Sequence, residues 1–380
     1  MQRRLQFQPS RRAGAFALAL VLVGGLSFPT PALAAVVIDE TELAQGENAV
    51  GGGTATLAES VLDMVDVTAG YMSTDEDLTV NFNGGNSIET VSVEGSANVE
   101  MNFSGDNEVE DIQAIDDSTL TVNANGHNEF EELNAYNHSN VTVNVTGDNE
   151  FEEIQGFDYA NVTVRGTDCQ KKDVIELGEG EDHTSLSTQD GKLTIDHVTV
   201  NVEAKSGSVR AEYNDLVIDT SKIASGDDTE HTQIMAGGAL KMSESVIDIT
   251  GTVFSFGMMT IDHSDVKVEA PSSGTPLDTY RVWSSEGIEL IDEENGEVKA
   301  GAIGDIQVAY VDTGDEGMVD LQADGEPAYY KCKSGVTNPA TKSLPRTGDT
   351  SDPMLPLAIA LTGVGAAALG IVARRRLSVR

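Results

Sequence analysis

The sequence predicts an all-β protein whose main body is a right-handed parallel β-helix, a solenoid with rungs of about 21–22 residues. The first observation is self-similarity at a fixed period. "DLTVNFNGGNSIETVSVEGSA" starts at Asp77, "NVEMNFSGDNEVEDIQAIDDS" at Asn98, "TLTVNANGHNEFEELNAYNHS" at Thr119 and "NVTVNVTGDNEFEEIQGFDYA" at Asn140; the period is 21 residues without a gap. The second is alternation within each copy: Leu120, Val122 and Ala124 point one way, Thr121 and Asn123 the other. The third is the lack of any stretch of ten or more residues in these copies with helical spacing.

Each copy opens on that alternating strand. A turn follows, marked by Gly84, Gly105, Gly126 and Gly147 and, two residues on, by Asn86, Asn107, Asn128 and Asn149. A second short strand carries Ile88, Val109, Phe130 and Phe151 in register, and then Val91, Ile112, Leu133 and Ile154. A unit this small cannot bury its apolar face alone, but stacked on its neighbours it can. Rungs then rise by about 4.8 Å, like residues lie over like, and the four asparagines form a hydrogen-bonded amide ladder. Asn161 opens a fifth copy. Further on the pattern loosens: "TIDHVTVNVEA" from Thr194 returns as "TIDHSDVKVEA" from Thr260, an offset of 66 residues that suits three rungs.

The chain divides in order into a leader at 1–34, a β-helix ectodomain at 35–300 including an N-terminal cap, a C-terminal β cap at 301–335, a short linker at 336–343 and a tail at 344–380. The leader has Arg3, Arg4, Arg11 and Arg12, an apolar run, and Ala32-Leu33-Ala34, a small-x-small cleavage site of a secretory signal peptide. The tail reads "LPRTG" at 344–348, then 20 uncharged residues at 354–373, then Arg374, Arg375, Arg376 and Arg380. The uncharged run spans a hydrocarbon core of about 30 Å, and the arginines after it mark the cytoplasmic side.

Leu344, Pro345, Thr347 and Gly348, with Arg346 at the free position, followed by an apolar span and a basic end, resemble the wall-sorting signal of LPxTG surface proteins of Gram-positive bacteria. The resemblance covers only these last 37 residues. It implies that a sortase, a membrane-bound cysteine transpeptidase, cuts between Thr347 and Gly348 and joins the threonine to peptidoglycan. The residue chemistry is compatible: Pro345 fixes φ and prevents regular structure at the cut, and Gly348 leaves the Thr347 carbonyl open to a thiol. The implied location is secreted and anchored to the cell wall, with a transmembrane segment in the precursor.

Composition narrows the partners. Formal net charge is −40, and residues 35–347 hold 15 basic and 61 acidic side chains. Such a surface repels nucleic acid and anionic lipid, so no nucleic-acid partner is expected. Regularly spaced Val, Ile and Leu exclude disorder for most of the chain.

The acids form rows. Glu108, Glu129 and Glu150 align, as do Glu110, Glu131 and Glu152, and Asp111, Glu132 and Glu153. Like charges at rung spacing repel by roughly 1 kcal/mol per pair in water. Splaying into solvent is one relief, and oxygen ligation of Ca²⁺ is the other, which makes the last two rows the candidate ion ligands. No other cofactor is implied. The acids recur on every rung, whereas a catalytic pair should break the repeat. The six histidines pair at no metal-ligand spacing, His197 and His263 fall at equivalent repeat positions, and no nucleophile-elbow, phosphate-loop or zincin motif occurs. The expectation is therefore a protein without enzymatic activity. Tyr136, Phe157 and Tyr159 form either a sugar-stacking patch or turn packing, and Trp283 falls outside the regular rungs. Cys169 and Cys332 lie 163 residues apart, roughly 35 Å along an ideal stack, whereas a disulfide needs Cα atoms within about 7 Å. They can pair only if the C-terminal strands fold back along the side.

The reading that follows is a wall-anchored protein for adhesion or surface interaction, with a host or neighbour glycan or a matrix protein as partner. Two alternatives stand beside it: a structural coat or spacer element without a specific ligand, and a polysaccharide-active β-helix enzyme. Exposed aromatics beside polar groups on one face would mark the adhesin, a uniform acidic face the coat element, and one rung whose acid pair departs from the repeat and sits in a cleft the enzyme.

Overall fold

The computed structural model describes residues 35–166, 173–270, 281–314 and 317–333. The chain winds into a β-solenoid of about ten turns. One parallel sheet stacks the strands Val61–Val65, Leu78–Asn83, Asn98–Gly105, Thr119–Gly126, the first part of Asn140–Gly156, Asn161–Gly166, Leu193–Asp196, Leu216–Asp219, Leu240–Ser243, Met259–Asp262 and Ile288–Ile291. The other sheet stacks Thr68–Thr74, Ser87–Val93, Glu108–Ala114, Glu129–Ala135 and the second part of Asn140–Gly156. From there each coil of the second sheet is split by a loop, as in Asp173–Leu177 and His183–Thr188.

The predicted register holds. Val80, Met101, Val122, Val143 and Val164 lie over one another at 21-residue steps, all buried. The 66-residue offset is three coils: Thr194 pairs with Val217, Val217 with Lys241, and Lys241 with Thr260. These coils are unequal because loops absorb the difference, while the inward columns Leu193-Leu216-Leu240-Met259 and Ile195-Ile218-Met242-Ile261 stay continuous.

The interior holds volume constant while changing residues. Phe82 stacks on Phe103 in the first sheet at 4.3 Å, and the next coils there carry Ala124 and Val145. The second sheet compensates: its column runs Ile88, Val109, Phe130, Phe151. Phe103 meets Phe130 edge-on at 5.0 Å, and Phe130 stacks on Phe151 at 4.6 Å, so the aromatic column crosses the core from one sheet to the other.

The amide ladder forms as expected. Asn86 donates to Asn107 (2.8 Å), Asn107 to Asn128 (2.9 Å) and Asn128 to Asn149 (2.8 Å), all buried. It stops at Asn149, whose neighbour on the next coil is Ile175 and whose Nδ2 is buried without an acceptor among the described residues. In the later coils the same corner changes chemistry. His197, Thr220, Glu244, His263 and Asp292 all take positive φ there, and serine hydroxyls replace the amides: Val198 N donates to Ser221 Oγ, Ser221 N to Ser245 Oγ and Ser245 N to Ser264 Oγ. Ser264 N ends that ladder on Glu293 Oε1 at 2.6 Å. His197 and His263 are thus turn residues, as their equivalent positions suggested.

Both ends of the stack are closed by antiparallel strands, which remove open edges. At the start, Gly46–Val50 and Gly53–Ala58 fold onto Val61–Val65, and Val36–Ile38 pairs with Thr68–Thr74. At the finish, Met318–Ala323 pairs with Asp265–Glu269, and the hairpin Glu297–Ile303 and Ile306–Asp312 covers Val282–Ser284. Trp283 belongs to the last coil after all: it pairs with Phe254 and stacks on it at 4.8 Å. The described chain ends in a short helix, Ala328–Lys333, that runs back along the flank. Its Ala328 N donates to Glu244 Oε2 (2.7 Å), and the Tyr329 and Thr199 hydroxyls share a hydrogen bond of 2.7 Å.

Candidate functional site

The two sheets meet at a corner whose turns repeat coil by coil as Gly95-Ser96, Asp116-Asp117, Asn137-His138 and Asp158-Tyr159. The first residue of each pair has a positive φ, from 58° to 70°, which glycine, asparagine and aspartate adopt most readily. That kink turns the second residue outward. Backbone bonds hold the row in register: His138 N donates to Asp116 O (3.1 Å), Tyr159 N to Asn137 O (2.8 Å) and Asp190 N to Asp158 O (3.0 Å).

Side chains reinforce it. Asn137 Nδ2 donates to Asp116 Oδ1 at 3.0 Å, and His138 Nδ1 lies 4.0 Å from Asp117 Oδ1. The His138 ring stacks on Tyr159 at 5.3 Å and 14°. One position earlier, Tyr136 stacks on Phe157 at 5.1 Å. Burial, followed by the charges of Asp111 and Glu132, raises the Tyr136 phenol above its ordinary pKa, which keeps it neutral. Tyr136 and Phe157 pack the turn, as the second of the two sequence readings has it, while Tyr159 stays 59% exposed. Gly95, Ser96, Asp116, Asp117, Asn137 and His138 line a groove of about 480 Å³ along this corner. Farther along the same corner, where Tyr213 N bonds Gln189 O and Phe256 N bonds Ala236 O, Tyr213 is 63% and Phe256 44% exposed. One edge of the solenoid thus combines aromatic faces with carboxylate, amide and imidazole groups. Sequence reading found Tyr159 but missed the groove, because only the stacked turns bring Ser96, Asp117 and His138 together.

The acidic rows occupy the outer face of the second sheet. Glu108, Glu129 and Glu150 are cross-strand neighbours, as are Asp111, Glu132 and Glu153. Glu131 and Glu152 have raised carboxyl pKa values through desolvation first and neighbouring carboxylates second, Glu110 acting on Glu131 and Glu131 on Glu152. The row of Asp111, Glu132 and Glu153 has a source of relief within the chain. Amides two residues on share its face: Gln113 donates to Asp111, Gln155 to Glu153, and Asn134 Nδ2 to Glu132 Oε2 at 2.8 Å. Asn134 also reaches Asp111 Oδ1 at 3.3 Å. Burial still raises Asp111 and Glu153. Among the described residues no group of three or more His, Cys, Asp or Glu side chains is arranged to hold a metal ion.

The outer face of the first sheet is polar and regular. Asn102 donates to Asn81 (3.0 Å), Asn123 to Asn102 (2.7 Å) and Asn144 to Asn123 (2.7 Å), and the column ends in Arg165, bonded to Asp196 at 3.1 Å. Leu344, Pro345, Arg346, Thr347, Gly348 and Cys169 lie outside the described residues, as does the apolar run 354–373. Cys332 falls in the C-terminal helix. Among the described residues no helix is long and apolar enough to cross a membrane. No family model, curated protein or solved structure matches this chain, so the reading of its function rests on its own residues.

Proposed function

We propose that this is a wall-anchored surface protein whose solenoid serves adhesion, binding a glycan of a host or neighbouring cell along the aromatic corner. The observation that carries the reading is the exposure of Tyr159 on the coil next to the groove of Asp116, Asp117 and Asn137, with Tyr213 and Phe256 exposed on later coils of the same edge. Flat aromatic faces next to hydrogen-bonding groups suit sugar rings, which have apolar faces and polar rims. A coat or spacer element needs no such edge. Anchoring rests on the LPRTG signature, the apolar run and the terminal arginines, with sortase and peptidoglycan as its partners. A glycan array with the purified protein tests the binding: saturable binding to one glycan class, lost in Tyr159→Ala with the fold intact, supports it. Absence of binding across glycans and matrix proteins returns the molecule to a structural role. Cell fractionation tests the anchor, since Thr347→Ala should move the protein from the wall to the membrane.

A further inference from the structure

We infer that the ligand of the corner groove is a cationic glycan, a polymer of amino sugars with free ammonium groups; this rests on the glycan reading above. Between residues 35 and 164 the chain holds 27 Asp and Glu and no Lys or Arg. Arg165 is the first cation of the solenoid, and it is bonded to Asp196 on the neighbouring coil. The coils that build the groove therefore contain no fixed positive charge of their own; His127 and His138 are their only basic side chains. Asp117 has His138 at 4.0 Å, and Asp116 uses one oxygen on Asn137. An anionic glycan entering here would meet uncompensated repulsion, a neutral one would gain hydrogen bonds from the carboxylates but no ionic attraction, and an ammonium-bearing one would gain both.

Geometry favours a sugar over a basic peptide. The groove follows the corner through the coils of Ser96, Asp117 and His138, and the exposed Tyr159 ring continues the row on the next coil. A hexosamine fixes its ammonium rigidly to the ring that would cover Tyr159. Lysine carries its own at the end of a flexible stem and loses rotamer freedom when it is held. The ring of Tyr159 also attracts a cation placed over its face.

The test compares glucosamine oligomers, the same oligomers fully N-acetylated, a glucuronate-containing oligomer and oligolysine of equal charge, all against the purified full chain. The expected result is binding of the free-amine oligomer about tenfold tighter than its acetylated partner, the amount one or two exposed charge pairs supply. The advantage should shrink at high salt and fall in Asp117→Asn, while Tyr159→Ala weakens both oligomers and leaves the circular dichroism unchanged. Equal binding of amine and acetylated oligomers overturns this inference and leaves the glycan reading standing. Oligolysine binding as tightly as the amino sugar overturns it too, because the face would then be an ion exchanger. Preference for the glucuronate oligomer, or full binding in Asp117→Asn, places the ligand elsewhere. Binding of none of the sugars by the folded protein removes both readings.

Discussion

The amide ladder makes an asymmetric prediction. In Asn128→Ala, the Nδ2 of Asn107 loses its acceptor and the Oδ1 of Asn149 loses its donor, both at buried positions. Each of the two stranded buried groups costs about 1–3 kcal/mol, so the substitution should destabilise by about 2–6 kcal/mol. Asn149→Ala strands only the Nδ2 of Asn128, and it removes a donor that already lacks a partner. Its cost should be about 1–2 kcal/mol, one stranded buried group offset in part by removal of the unpaired one. Urea denaturation of both variants, with the transition slope checked against the parent, measures the difference. Amide exchange should localise it, with faster exchange in the Asn128 variant at Val67, Asn86 and Glu129, whose N–H groups bond to ladder residues. Equal costs, or a cost below about 1 kcal/mol for Asn128→Ala, would refute the claim that the column acts as a connected chain of hydrogen bonds.

Three further outcomes are expected. The Glu293 carboxyl is raised to about 7, chiefly by burial and then by Asp265, Asp262 and Asp292, against the bond from Ser264 N. Its proton is held more tightly folded than unfolded, so its contribution is full below about pH 4.5 and lost as pH rises to about 7. After discounting for the solvent around this partly buried group the loss is about 1–2 kcal/mol, and Glu293→Gln should flatten that part of the stability profile. Cys169 and Cys332 should be bridged: Tyr329 of the C-terminal helix is bonded to Thr199 and Cys332 follows it by three residues, while Val174, the strand neighbour of Thr199, follows Cys169 by five. A free-thiol assay on the secreted protein that finds two reactive thiols would refute this. For the acidic rows, Ca²⁺ and Mg²⁺ at equal concentration should raise the melting temperature alike, by screening. A selective rise with Ca²⁺ would instead make Glu110, Glu131, Glu152, Asp111, Glu132 and Glu153 its ligands.

How much could be read beforehand depended on how the chain repeats itself. Where Leu120, Val122 and Ala124 recur as Val141, Val143 and Val145 at 21 residues, sequence spacing is spatial register, and the sheets, the core and the ladder follow from it. Where loops such as 178–182 and 203–205 enter between strands, spacing stops measuring position, although the inward columns persist. The C-terminal helix was hidden for another reason. Its six residues are too short for a helical period, and contacts with Thr199 and Glu244, far away in sequence, hold it. The groove was half visible: the pairs Asp116-Asp117, Asn137-His138 and Asp158-Tyr159 recur in step, but the outward direction of their second members follows from the positive φ of the first.

That helix also decides how the molecule answers a pull. If the chain is anchored as proposed above, load enters through its C-terminus, and Lys333 lies on the flank of the solenoid, past the bonds to Glu244 and Thr199. Tension must break those bonds before it reaches the strand Met318–Ala323, and that strand before it strains the coil of Asp265–Glu269. The helix therefore acts as a mechanical fuse, yielding first and sparing the stacked coils. Because the load enters from the side, the solenoid would hang from its waist, with the acidic coils of its N-terminal half held away from the tether.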